Sequence, residues 1–179
     1  WQAINWSTPN ALDLWFRLTA ADYALKTEQD AAQVLQHSAF SNNISSTLAA
    51  TPTFAQFMTA VGAGYAEVFA NSGRLPDTIY MAPDRYGYML GLTSDAFTQF
   101  TQVSGQGVGP LNVVISRGMD AGVIVVGDSE GLLVAETAGA PVELRVVEPA
   151  IGGVEVGLSG AFEAVVVDDG AFAMLTTAS

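Results

Sequence analysis

The chain has 179 residues, 50% of them hydrophobic and only 13% charged, no cysteine, and a net charge of -12 from 18 acidic against 6 basic side chains. Without thiols there is neither a disulfide framework nor a thiolate metal site, and the negative surface opposes the approach of nucleic-acid phosphates. No apolar run approaches the roughly 20 residues that span a bilayer, and no basic-then-apolar leader opens the chain, so the sequence predicts a soluble protein. At this length about 70% of the unfolded surface is buried on folding, enough for one ordinary core or two small ones. The low charged fraction predicts extensive contacts with partners. Trp1 stands where a methionine would, at the approach to a helix, which predicts a fragment or a processed product.

Thr8 as a cap and Pro9 at a first helical position open the first element, and Leu12, Phe16, Ala20, Tyr23, Thr27, Ala31 and Val34 follow at spacings of three and four. They form one apolar stripe of a helix running to about His37, on the order of 40 Å long. The opposite face sets Asp13 against Arg17, Asp22 against Lys26 and Lys26 against Asp30 at i,i+4, each pair contributing a few tenths of a kcal/mol. A helix longer than a small domain needs for its own core reads as a spine. Residues 38–50, rich in Ser and Asn, show no period and read as a connector and a domain boundary.

Thr51-Pro52 repeats the cap-and-proline signal ahead of Phe54, Phe57, Met58, Val61, Tyr65, Val68 and Phe69, a second amphipathic helix that stops at Gly73. Residues 77–82 read as a short strand, and Pro83 opens a third helix containing Tyr86, Met89 and Leu90, which together suggest a mixed α/β layer. Beyond the loop Ser104-Gly105-Gln106-Gly107-Val108-Gly109-Pro110, strands are predicted at 111–115, 123–126, 132–136, 142–147 and 154–158. Residues 160–175 then read as a hairpin folded about Asp168-Asp169-Gly170, with strands that need cover from elsewhere. The fold class is α+β.

Residues that carry chemistry elsewhere have plainer roles in this pattern. Gly105, Gly107 and Gly109 are followed by a proline and a strand, whereas a nucleotide-binding loop opens a helix. His37, the single histidine, sits near the helix end, where an imidazolium meets the macrodipole favourably, and has no second histidine or cysteine nearby in sequence. Asp168 with Asp169, and Asp128 with Glu130, adjoin glycines between apolar strands and lack the ligand series of a calcium loop, so they read as turn formers. Ser159, in Gly157-Leu158-Ser159-Gly160-Ala161, lacks the spacing of a nucleophile elbow. Trp1, Trp6 and Trp15 read as a small apolar anchor at the start of the spine rather than a carbohydrate platform. No catalytic, cofactor-binding or metal-binding residue is assigned, and no enzyme activity is expected.

Ser7-Thr8-Pro9-Asn10-Ala11-Leu12-Asp13-Leu14 entering a long helix with Ala24-Leu25-Lys26-Thr27-Glu28, followed by Ile79-Tyr80-Met81-Ala82-Pro83-Asp84-Arg85, resembles the major capsid proteins of tailed bacteriophages. Val114-Ile115-Ser116-Arg117-Gly118-Met119-Asp120-Ala121-Gly122 leading to Val126-Gly127-Asp128 is similar to that family's strand, turn and Gly-Asp strand end, and residues 160–175 resemble its closing segment. The resemblance covers nearly the whole chain. It implies the Hong Kong phage type of capsid fold: a peripheral domain at 1–50 and 139–179, holding the spine helix and long strands, and a mixed α/β axial domain at 51–138. On this mapping the terminal hairpin lies along the spine helix from Asn10 to Gln36, whose apolar stripe covers it.

The resemblance further implies a structural subunit that assembles with copies of itself into pentamers and hexamers of a shell enclosing double-stranded DNA. Scaffolding, protease and portal proteins would be its partners. It would belong to the virion, assembled in the bacterial host cytoplasm, with no sequence-specific nucleic-acid binding, no membrane and no cofactor. The family's N-terminal arm and extended loop have no counterpart in the sequence, so a monomer or small oligomer is expected from these residues alone. Family members are cross-linked through lysine and asparagine in some cases, but nothing assigns that role to Lys26, the only lysine. Two other classes fit parts of the pattern: an encapsulin-type shell enclosing an enzyme, and an acidic extracellular binding module, which leaves the long helix unexplained.

Overall fold

The computed structural model describes residues 11–42, 44–91, 111–148 and 153–177. The cap at Thr8-Pro9, Trp1, Trp6 and the glycine loop at 104–110 lie outside the described residues.

Helix α1 spans Ala11–Asn42, 32 residues, five beyond the predicted end at His37. Phe16 is buried on the predicted stripe, with Leu12, Ala20, Tyr23 and Thr27 partly covered. From residue 29 onward the buried line is Ala32, Leu35 and Ala39, while Ala31 and Val34 are half-buried, so the stripe there is advanced by one residue. Lys26 pairs with Asp22 at 3.0 Å as expected, both exposed and therefore contributing little. Asp13 reaches Arg145 at 3.9 Å.

Strand β1, Ile44–Leu48, occupies what the sequence suggested was a connector. Its Ser45-Ser46-Thr47 centre carries no strand pattern. Its backbone nonetheless pairs in parallel with the chain's last strand, and Leu48 is buried in the core. Helix α2, Phe54–Ser72, is capped by Thr53, not by Thr51-Pro52. The Thr53 hydroxyl accepts from the Gln56 N–H, and the Gln56 side chain accepts from the Thr53 N–H at 2.8 Å, a reciprocal box that the Thr-x-x-Gln spacing permits. Gly73 ends the helix at φ 70°, where its N–H reaches the Phe69 carbonyl at 3.0 Å.

Strand β2 (Thr78–Met81), helix α3 (Pro83–Gly91), β3 (Asn112–Ile115) and β4 (Ile124–Gly127) follow. The later strands are β5 (Leu132–Glu136), β6 (Val142–Glu148), β7 (Gly153–Ser159), β8 (Phe162–Val166) and β9 (Phe172–Thr177). They form a five-stranded sheet in the order β1-β9-β4-β2-β3 and two two-stranded sheets, β5-β8 and β6-β7. In the large sheet the β4 pairs with β2 and β9 are antiparallel, and the outer pairs are parallel.

The expected terminal hairpin is not one. β8 pairs with β5, and β9 inserts between β1 and β4, so the Asp168 turn carries the chain from one sheet to another. The Asp128 turn between β4 and β5 does the same, and the two arches interlock. The Asp128 N–H donates to the Ala171 carbonyl at 3.0 Å, and the Val167 N–H to the Gly131 carbonyl at 2.9 Å. Glycines permit the approach: a Cβ on Gly127 would overlap the Phe172 ring, and one on Gly131 would overlap the Ala171 methyl.

By compactness the chain divides into residues 1–28 with 134–163, and residues 29–133 with 164–179. These boundaries differ from those expected near 50 and 138, because the second part of α1, β1 and β9 share the sheet and core of the larger unit. That unit has two apolar clusters. One gathers Phe57, Val61, Ile79, Met81, Ile124 and Leu175 between α2 and the sheet, and the other gathers Ala32, Leu35, Val125, Phe172 and Met174 against α1. In the smaller unit the β6-β7 ribbon runs in register from Val142 opposite Ser159 to Glu148 opposite Gly153, and Phe16 lies beneath the Arg145 guanidinium at 4.7 Å.

Candidate functional site

The carboxylates singled out in the sequence are engaged in turns. Asp128 accepts from the Glu130 N–H at 3.1 Å, and Asp168 from the Gly170 N–H at 3.0 Å, each capping a short 3-10 turn. Arg74 reaches Asp128 at 3.5 Å and Glu130 at 3.2 Å. Asp77, which the sequence did not single out, accepts from both the Ser129 N–H at 2.8 Å and the Ser129 hydroxyl at 2.6 Å. Partial burial pushes its carboxyl up, but these hydrogen bonds outweigh that and hold it below its ordinary value. The cluster ties the α2–β2 loop to the first arch.

Among the described residues no group of three or more His, Cys, Asp or Glu side chains is placed to hold a metal ion. His37 is exposed, five residues before the end of α1 rather than at it. Ser159 is the exposed last residue of β7, opposite Val142. Trp15 stacks edge-on against Phe16 at 5.0 Å between centroids and remains 38% exposed.

Exposed apolar side chains distinguish both units. In the smaller one, Leu14 and Leu18, at i,i+4 on α1, stand in solvent with Trp15, and β6 exposes Val142 and Leu144. In the larger one, Phe40, Phe69, Leu75 and Leu90 are each more than half exposed, and the edge strand β3 presents Val114 and Ile115. Phe69 belongs to the apolar set that marks α2, yet its position leaves it outside the core. Periodicity identifies an amphipathic helix but not how wide an arc the sheet covers. The larger unit also carries a groove of about 730 Å³ along the last turns of α1, walled opposite by β9 and the second arch.

No family model matches the sequence, and no curated protein resembles it in sequence. The backbone does have relatives among solved structures. A phage-related protein from Bordetella bronchiseptica aligns with a TM-score of 0.66 at 10% identity, covering 92% of this chain and 67% of that one. The capsid of Myoviridae phage XM1 aligns with a TM-score of 0.64 at 11% identity, covering 94% and 66%. A virus-like particle from Pyrococcus furiosus gives 0.57 at 13%, covering 82% and 62%. The chain thus spans about two thirds of the length of these proteins. A spine helix, a mixed sheet whose last strand inserts between β1 and β4, and superposition on phage chains over more than nine tenths of the residues lead to one conclusion: the chain has a phage major-capsid-like fold.

Proposed function

We propose that the protein is a shell subunit, the major capsid protein of a tailed phage or prophage, whose copies form the pentamers and hexamers of a head enclosing double-stranded DNA. The observation that carries this reading is the superposition on the capsid of phage XM1 over 94% of the chain. The exposed apolar residues on both units support it, since a closed shell requires each subunit to present several distinct interfaces. We assign the unit of residues 1–28 and 134–163 to the peripheral lobe and the other to the axial lobe. Scaffolding, protease and portal proteins would be its partners, in the host cytoplasm during assembly and in the virion thereafter. No described helix is long and apolar enough to cross a membrane.

The likeness to the Pyrococcus furiosus virus-like particle favours a second reading, an encapsulin-type compartment around a protein cargo. The capsid-like fold accounts for the spine helix that an extracellular binding module leaves unexplained. Particles purified after expressing the complete reading frame separate the two shell readings. Nuclease-resistant DNA inside them is the expected result, and particles holding only a co-purifying protein would overturn the phage assignment.

A further inference from the structure

We propose that the outer stripe of α1 docks on the open face of the β6-β7 ribbon of a second copy of the chain, a head-to-tail contact that rests on the shell reading and gives it a named interface. The stripe is Leu14, Arg17 and Leu18, at spacings of three and four and all exposed, with Trp15 beside it. The ribbon is antiparallel, so residues directly opposite each other share a face. One face carries Arg145, whose guanidinium covers Phe16 and reaches Asp13, and is thereby turned to the chain's own α1. The other carries Val142 opposite Ser159, Leu144 opposite Gly157, and Glu155 two residues before Gly157. Val142, Leu144 and Glu155 are exposed there. Stripe and open face both belong to the unit of residues 1–28 and 134–163.

Two observations select a second copy as the occupant. The first is charge. Lys26, Arg74, Arg85 and Arg145 pair with carboxylates of their own chain. Arg17 is exposed with no ion pair among the described residues, and so is Glu155. A cation between two leucines on one face thus matches a carboxylate near Val142 and Leu144 on the other. The two cannot meet within one chain, because the ribbon turns its opposite face to α1. The second observation is Gly157. A glycine inside a strand weakens it, and this one has no left-handed φ that would require it. A Cβ there would meet only Leu144, at 3.9 Å, so nothing else among the described residues excludes a side chain. Close approach of another molecule accounts for the glycine, which with Ser159 leaves the face open beside Leu144 and Val142. Because the two surfaces differ, the contact is heterologous, and its repetition builds rings of copies where the rotation closes.

The test is sedimentation velocity of the whole chain over a concentration series, with circular dichroism on each variant as the folding control. Concentration-dependent self-association is expected. Arg17→Glu and Glu155→Arg are each expected to weaken it by about tenfold or more, since like charges then meet. An equimolar mixture of the two variants, and a chain carrying both changes, are expected to restore it, because opposite charges again face each other across the contact. Gly157→Val is expected to keep the fold and block association, and the exposed charge variants keep the test valid if it unfolds. Leu90→Ser and Glu67→Gln, in the larger unit, are expected to change association less than about twofold. A chain that stays monomeric would overturn the proposal and leave both faces to a different protein. No recovery in the mixture and the double variant would also overturn it, as would unchanged association of a folded Gly157→Val or equal effects of the two controls. The shell reading is judged separately, by closed particles from the complete reading frame. Closed particles without this contact sink the proposal alone, and charge-swap recovery without closed particles sinks the shell reading alone.

Discussion

Residue by residue, the tightest constraints sit where the two arches cross. Gly127 has no room for a methyl group because the Phe172 ring occupies that space, and Phe172 is itself fixed within the core. Gly127→Ala is expected to lower stability by about 2–3 kcal/mol in urea unfolding. Gly62, in α2 with nothing within 4 Å of its would-be Cβ, provides the contrast. Gly62→Ala is expected to raise stability by about 0.5–1 kcal/mol, because alanine loses less backbone entropy in a helix. If both changes destabilise equally, the close approach at the arches is not what constrains Gly127. Asp77 contributes a pH dependence of defined sign. Its folded carboxyl lies below its ordinary value of 3.8, so its contribution is fully present above the unfolded pKa and is lost as pH falls through the folded one. Urea midpoints measured from pH 5 down to pH 2 are expected to fall more steeply for the wild type than for Asp77→Asn, with the two converging at the acid end.

At the scale of elements, the long helix, the second helix and most strand positions were legible because each rests on a local period or a local stop. Gly73 ends α2 as its conformational freedom predicts, and Pro83 opens α3. What was illegible depends on distant partners. Ile44–Leu48 becomes a strand only because β9 lies alongside it. Asp168-Asp169-Gly170 has the composition of a hairpin turn, and the local chemistry is met, with Asp168 capping it. Whether the flanking strands pair with each other or part to different sheets is decided by β4 and β5, some 40 residues earlier. The N-cap of α2 was within reach, since Thr53 and Gln56 stand at the capping-box spacing, but the Thr51-Pro52 signal two residues upstream masked it. Thr53→Ala is expected to cost about 1 kcal/mol by thermal or urea unfolding, and an unchanged stability would show that the cap contributes nothing. The turn role of the carboxylates was legible for the same reason as the helix stops, being local. The groove beside Phe40 was not, since its walls come from 33–40, 120 and 166–174.

For the whole molecule, charge and fold lead to different kinds of contact. With 18 acidic residues against 6 basic ones, the chain has few cations with which to release counterions from a duplex. Gel-shift experiments at physiological salt are expected to show no retardation of double-stranded DNA, and tight, salt-sensitive retardation would contradict this. Enclosing a genome requires no such binding, since a shell holds its contents by closure. Closure is therefore the property that the central claim stands on. The most direct measurement is negative-stain microscopy, with light scattering, of the protein expressed from the complete reading frame that contains these 179 residues. Closed particles of uniform diameter are the predicted result. A protein that remained monomeric under every assembly condition, with and without a scaffold, would contradict the shell reading.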